Sequence, residues 1–277
     1  MNFHQLNEFL KRHDQQHVLH FWDELDATQR EALTAQIQKI DFALLNRLIK
    51  NANKENGESS RQMLPAPVIS LEEQQQLDKA MRLKGEDLLR KGILVAFLVA
   101  GGQGSRLGFD GPKGILPITP IRKKTLFQLH AEKILASAQY YKVCIPWYIM
   151  TSEANHVQTV NYFEENSYFG LGKENIMFFK QEMLPAVDLN GKLILEEKHK
   201  LFMSPNGHGG SLKAIWDSGA LTDMKQRGIE YLFYFQVDNV LLNICEPEFI
   251  GYHVANQAQM SSKVVRKAYP EEKMGVM

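Results

Sequence analysis

Apolar residues recur at helical spacing from Gln5 to about Lys50: Leu6, Phe9 and Leu10; then Val18, Leu19, Phe21, Trp22 and Leu25; then Leu33, Ile37 and Ile40; then Leu44, Leu45 and Leu48. Each group predicts a helix with one face for burial. Asp26 or Thr28 is placed to cap a helix starting near Gln29, and Asp41 to cap the one carrying Phe42 to Ile49. The stretch NANKENGESSR, Asn51 to Arg61, is polar and without period, which predicts a linker extended by Pro65 and Pro67.

The pattern changes after a charged helical stretch from Leu71 to Arg90. Ile93 to Val99 is a continuous apolar run between Gly92 and Gly101, as expected of a strand buried on both faces of a parallel sheet. A helix over Thr125–Tyr140, a strand over Val143–Met150, a helix over Ala154–Asn166, a strand over Ile176–Phe179, a helix over Leu212–Arg227 and a strand over Tyr231–Val237 follow in alternation. Such alternation predicts a layered α/β domain. The expected organisation is a helical N-terminal region over 1–60 and an α/β nucleotide-binding domain over 61–277.

Bulk properties narrow the function classes. The 277 residues are 44% hydrophobic and 23% charged, with 32 Lys+Arg against 32 Asp+Glu, so the formal charge is zero. A polyanion-coating surface, and with it nucleic-acid binding, is disfavoured. The longest apolar run is too short for a bilayer and the N-terminus lacks a cationic start before an apolar core, so neither a membrane span nor a leader is expected and a cytoplasmic location is the default. Cys144 and Cys245 are far apart and lack metal-site spacing, which argues against a disulfide framework or a zinc site and predicts reduced, semi-buried thiols.

Three segments carry candidate chemistry. In LVAGGQGSRLGFDGPK, Leu98 to Lys113, three glycines follow the buried strand, so the backbone can turn sharply and bring N–H groups close to phosphate oxygens. Arg106 adds a two-pronged guanidinium and Lys113 a point charge. Walker A is excluded because Lys113 lies between Pro112 and Gly114, and the dinucleotide fingerprint because Leu107 stands where a third glycine is needed. The second segment, YLFYFQVDN, places Asp238 at the carboxyl end of a strand, where open α/β sheets bind ligands and a carboxylate can hold Mg²⁺ against phosphate; alone, such an Asp is more often a turn or cap residue, and its pairing with a phosphate loop reverses that preference. The third, SPNGHGGS, surrounds His208 with glycines ahead of a helix, and composition leaves it either a ligand loop or a mobile surface turn.

These segments, with HVLHFWDELDATQREAL, KTLFQLHAEKIL, IPWYIMTS, FFKQEMLPA and LEEKHK in order, resemble the eukaryotic-type UDP-sugar pyrophosphorylases over nearly the whole chain. The resemblance implies a nucleotide-diphospho-sugar transferase fold, Rossmann-like with a mixed sheet, after a helical region. It implies Ala100, Gly101 and Gly102 along the uridine, Gln181 at the uracil edge, and Gly207 near the base. Arg106 and Lys113 would act on the UTP phosphates, and Asp238 would hold Mg²⁺ or Mn²⁺. His208 and Gly275, the latter in KMGVM, would face the sugar. The implied activity joins UTP and N-acetylglucosamine-1-phosphate into UDP-N-acetylglucosamine and pyrophosphate. Glucose-1-phosphate or another sugar phosphate is the alternative, since His208 stands where Asn is usual in the PxGNGG loop; a non-catalytic uridine-nucleotide-binding module is the other. Family members continue beyond the equivalent of Met277, so the expectation is a partial catalytic domain with weak or no turnover.

Overall fold

The computed structural model describes residues 1–53, 66–273 and 275. Along the chain lie α1 (Phe3–Arg12), α2 (Ala27–Gln38), α3 (Phe42–Asn53), α4 (Leu71–Arg90), β1 (Leu94–Val99), α5 (Leu126–Tyr141), β2 (Trp147–Thr151), α6 (His156–Glu165), β3 (Ile176–Lys180), β4 (Met183–Pro185), β5 (Leu195–Glu197), β6 (Lys200–Leu201), β7 (Met203–Pro205), α7 (Ser211–Asp217), α8 (Ala220–Gln226), β8 (Tyr231–Gln236) and α9 (Pro247–Ala255). They group into two compact units, residues 1–53 with 182–207, and residues 66–181 with the remainder from 208.

In the first unit the apolar faces read from sequence meet: Leu6 and Leu10 of α1, Leu33 and Ile37 of α2, and Phe42 and Leu45 of α3 share one core with Leu193 and Leu201. Residues 182–207, which the sequence reading kept within 61–277, therefore complete the helical core as the antiparallel pairs β4–β7 and β5–β6. Gln15 takes the place of a strand neighbour: its buried amide donates to the Gly191 carbonyl at 2.9 Å and accepts from the Leu193 N–H at 2.8 Å. Asp26 caps α2 in a reciprocal box with Gln29, and the Asp41 carboxylate accepts from the Leu44 N–H at 2.9 Å. The helix expected over Val18–Leu25 is instead two 3₁₀ turns, Gln16–Leu19 and Trp22–Glu24. Asp14, left-handed, closes α1 before this span, and the cap at Asp26 opens the next helix after it. The expected linker falls mostly on 54–65, outside the described residues, although Asn51 to Asn53 belong to α3.

The second unit is built on a parallel sheet in the order β3-β2-β1-β8. β1 is apolar on both faces because both are covered. Leu94, Ala96 and Leu98 share one core with Leu89 of α4, Phe127 of α5, Phe163 of α6 and Ile250 of α9. Val95 and Phe97 share the other with Ala214 of α7 and Met224 of α8. Trp147, Tyr148, Phe97, Phe127 and Phe163 are fully buried, and each such side chain contributes about 2–3 kcal/mol through area removed from water. β2 begins at Trp147 rather than Val143, after Pro146, which has no N–H to give a ladder; its carbonyl still accepts from Ala96 at 2.9 Å. The single helix expected over Leu212–Arg227 is two, since Gly219 turns left-handed at φ +80° between α7 and α8. α9, which the sequence reading left unassigned, starts with Pro247 in its first turn and packs on α4 through Gly85 and Gly251. Cys144 is exposed and Cys245 buried. No helix among the described residues is long and apolar enough to cross a membrane.

Candidate functional site

The sheet order places a topological switch at β1. From β1 the chain winds outward through β2 to β3, then crosses back to lay β8 on the other side of β1, so the carboxyl ends of β1 and β8 flank the crevice where open α/β sheets take ligands. The glycine-rich loop leaves β1 there, and Asp238 leaves β8 there.

The loop doubles back on itself. The Lys113 N–H donates to the Gly102 carbonyl at 3.1 Å, Gly104 N–H to the Gly111 carbonyl at 2.9 Å, and Gln103 and Pro112 pair in an antiparallel bridge. Its root is held by Asn155, a fully buried residue just before α6. The Asn155 amide donates to the carbonyls of Ala100 at 2.9 Å and Gly102 at 3.3 Å, while its oxygen accepts from the Ser152 N–H at 2.8 Å. Sequence reasoning missed Asn155. Its only signal was a polar residue following the apolar strand IPWYIM, where an Asn more often caps a turn.

Lys113 and Asp238 meet. The Lys113 ammonium donates to an Asp238 carboxylate oxygen at 2.8 Å, although 125 positions separate them; the Asp238 side chain remains about half exposed, at 53%. Gly101 and Gln181 meet as well. A Cβ built on Gly101 would lie 2.7 Å from the Gln181 amide nitrogen, so a side chain there would have to displace that amide, and the buried Gln181 is anchored through its own N–H to the Thr151 carbonyl at 2.8 Å. Ala100 is buried at the strand end, with its N–H on the Met150 carbonyl at 2.8 Å. Gly102 is exposed, and a Cβ built on it would first meet the end of the Lys113 side chain, at 3.7 Å.

The other predicted residues stand apart from this pair of contacts. Arg106 lies exposed on the 3₁₀ turn Ser105–Leu107 and makes no hydrogen bond or ion pair with the described residues. His208 is tied to β8: its Nδ1 lies 2.5 Å from the Tyr234 hydroxyl, which also bonds Ser211 at 3.1 Å, and its Nε2 lies 3.3 Å from the Gln236 amide nitrogen. Burial raises the Tyr234 phenol above its ordinary range, so it stays protonated at neutral pH. Gly207, left-handed at φ +63°, belongs to the first unit, and a Cβ built on the exposed Gly275 would meet nothing within 4 Å among the described residues. Among the described residues no group of three or more His, Cys, Asp or Glu gathers to hold a metal.

A parallel α/β sheet with helices on both faces, and a glycine loop opposite a carboxylate at its switch point, defines a doubly wound α/β domain of the class that takes its ligands at such a crevice. Residues 39–277 match the UTP–glucose-1-phosphate uridylyltransferase family, and the chain belongs to it. It is 38% identical to UDP-N-acetylglucosamine diphosphorylase 2 of Arabidopsis thaliana over 98% of this chain and 57% of that protein. It is 37% identical to human UDP-N-acetylhexosamine pyrophosphorylase-like protein 1 over 97% of this chain and 56% of that one. The uridine diphosphate N-acetylglucosamine pyrophosphorylase of Trypanosoma brucei, solved with an inhibitor, superposes with a TM-score of 0.76 at 28% identity, covering 91% of this chain and 54% of that one. The chain thus spans somewhat over half the length of the relatives it matches.

Proposed function

We propose that this chain is the UTP-binding part of a sugar-1-phosphate uridylyltransferase that makes UDP-N-acetylglucosamine. The carrying observation is the Lys113–Asp238 pair at the switch point, a cation and an anion held 2.8 Å apart where a metal-bound polyphosphate needs both. The N-acetylglucosamine named in the activity of these relatives supports the sugar.

In this reading Gly101 and Gln181 receive the uracil, the glycine leaving room and the amide supplying a donor and an acceptor for its edge. Arg106, unpaired and exposed, is free to grip phosphate oxygens, and Lys113 exchanges Asp238 for the phosphates as the nucleotide enters. Asp238 would hold Mg²⁺ or Mn²⁺. Such an ion, when bound, neutralises phosphate charge and makes the α-phosphorus more electrophilic. An oxygen of the sugar-1-phosphate forms the new bond to that phosphorus as the bond to pyrophosphate breaks. The attacking phosphate is already ionised at neutral pH, so no side chain need act as nucleophile or base. The protein's contribution is to align the two substrates and offset their charge.

Calorimetric titration of UTP with Mg²⁺ into the chain, its Lys113→Ala and its Asp238→Ala variants tests the assignment. Each substitution is expected to weaken binding at least about tenfold, the scale of one charge-assisted contact. Unchanged affinity in both would overturn it. Pyrophosphate release with N-acetylglucosamine-1-phosphate against glucose-1-phosphate separates the two sugars.

A further inference from the structure

Three side chains spaced three apart along one side of α5 reach the two loops that carry Lys113 and Asp238. The Phe127 ring lies against Gly114, the residue after Lys113, so closely that a Cβ on Gly114 would fall 2.1 Å from it. One turn on, fully buried His130 donates from Nε2 to the Val237 carbonyl at 2.9 Å, the carbonyl just before Asp238. A further turn on, Lys133 donates to the carbonyls of Val240 and, at 2.9 Å, Leu242. Among the described residues these three carbonyls accept from nothing else. The loop's own N–H bonds are long, 3.2 Å from Val237 to Val99, 3.2 Å from Asn239 to Gln236 and 3.1 Å from Val240 to Asp238. The start of α5 is in turn fixed to the glycine-loop side by the Leu126 N–H on the Leu116 carbonyl at 3.3 Å and by the Pro117–Thr125 bridge.

We infer that α5 is the spacer that sets the separation of Lys113 and Asp238, and that His130 and Lys133 are positioning residues for the metal-nucleotide site. Neither touches the proposed ligand. Each acts through backbone, His130 on the strand end that aims the carboxylate and Lys133 on the turn beyond it. A helix is suited to this task because its side chains keep fixed spacing while loops do not. Among the described residues His130 Nδ1 has no hydrogen-bond partner, so the Nε2 proton is the one polar tie the ring makes, beside its edge-on packing against Phe235. A Gln, whose amide nitrogen reaches equally far, would serve, and Ala would not.

The inference rests on the UTP reading for its consequence, yet part of it is testable without ligand. Hydrogen exchange on the ligand-free chain is expected to speed up in peptides covering 236–243 for His130→Ala and Lys133→Met, but not for His130→Gln, with the peptide over β1 unchanged. The second readout is the ratio of UTP dissociation constants without and with Mg²⁺. His130→Ala is expected to cut that ratio about tenfold, as loss of a supporting partner does at metal sites, while metal-free UTP binding shifts less than about twofold and His130→Gln keeps both. Should His130→Ala fail to fold, Lys133→Met carries the same expectations. Unchanged exchange over 236–243, or UTP affinity lost equally with and without Mg²⁺, would overturn the spacer role. Accelerated exchange in a chain whose wild type binds no UTP would leave the spacer standing and remove the UTP reading instead.

Discussion

Asn155→Ala removes the buried amide that ties the glycine loop to the end of β1. The side chain is fully buried, and its loss strands two groups that water does not reach, the Ala100 carbonyl and the Ser152 N–H; Gly102 keeps its bond from the Lys113 N–H. A buried polar group left without a partner costs about 1–2 kcal/mol, so the variant should lose about 2–4 kcal/mol of folding stability. For a chain of this size that is a fall of about 3–7 °C in melting temperature. Urea denaturation followed by circular dichroism measures the first figure and a thermal scan the second. Asn155→Asp should be at least as damaging, because it keeps the acceptor for Ser152 but sets a carboxylate oxygen against the Ala100 carbonyl, and burial of that charge is costly. Since the released segment is the one proposed to hold phosphate, UTP affinity should fall in both variants. A loss below about 0.5 kcal/mol, within the range of ordinary surface substitutions, together with unchanged UTP affinity, would refute the idea that Asn155 organises the loop.

Gly101→Ala pushes a methyl against the Gln181 amide, and should weaken UTP about tenfold and erode its preference over CTP while leaving inorganic tripolyphosphate binding unchanged; an unaltered UTP-to-CTP ratio would separate Gln181 from base reading. Burial, only partly offset by the bond to Val237, lowers the imidazole of His130 below its ordinary value of 6.5, so the folded protein holds it neutral and the unfolded chain takes up the proton more readily. Stability from this group is therefore complete above about pH 6.5 and is lost as pH falls through the lower folded value, with burial of His156 adding in the same direction. Denaturation curves at pH 7.5 and 5.5 should converge more closely for His130→Gln than for wild type, and equal pH slopes would contradict the burial argument.

Much of this protein is local and therefore legible in its residues. The apolar run before Gly101 determines a strand covered on both faces, because only two-sided burial uses such a run; the caps at Asp26 and Asp41 mark helix starts because an unpaired N–H needs an acceptor nearby. Gly101, Gly102, Lys113 and Asp238 could be nominated as ligand residues for the same reason, each following a strand end at which backbone and charge are free to meet a phosphate. Other features depend on chain segments far apart. That Lys113 bonds Asp238 and that His130 holds the Asp238 loop follow from β8 crossing back beside β1, while the Gly101–Gln181 contact and the Asn155 bonds depend on β2 and β3 lying on its other side. No local period encodes that crossing. The short pairs β4–β7 and β5–β6 were likewise invisible, because two or three residues carry no period and acquire strand geometry only against the core of α1, α2 and α3. Sequence alone nominated candidate ligand residues; the tertiary structure decided which of them face one another, since distance in a folded chain is set by topology and packing rather than by position along it.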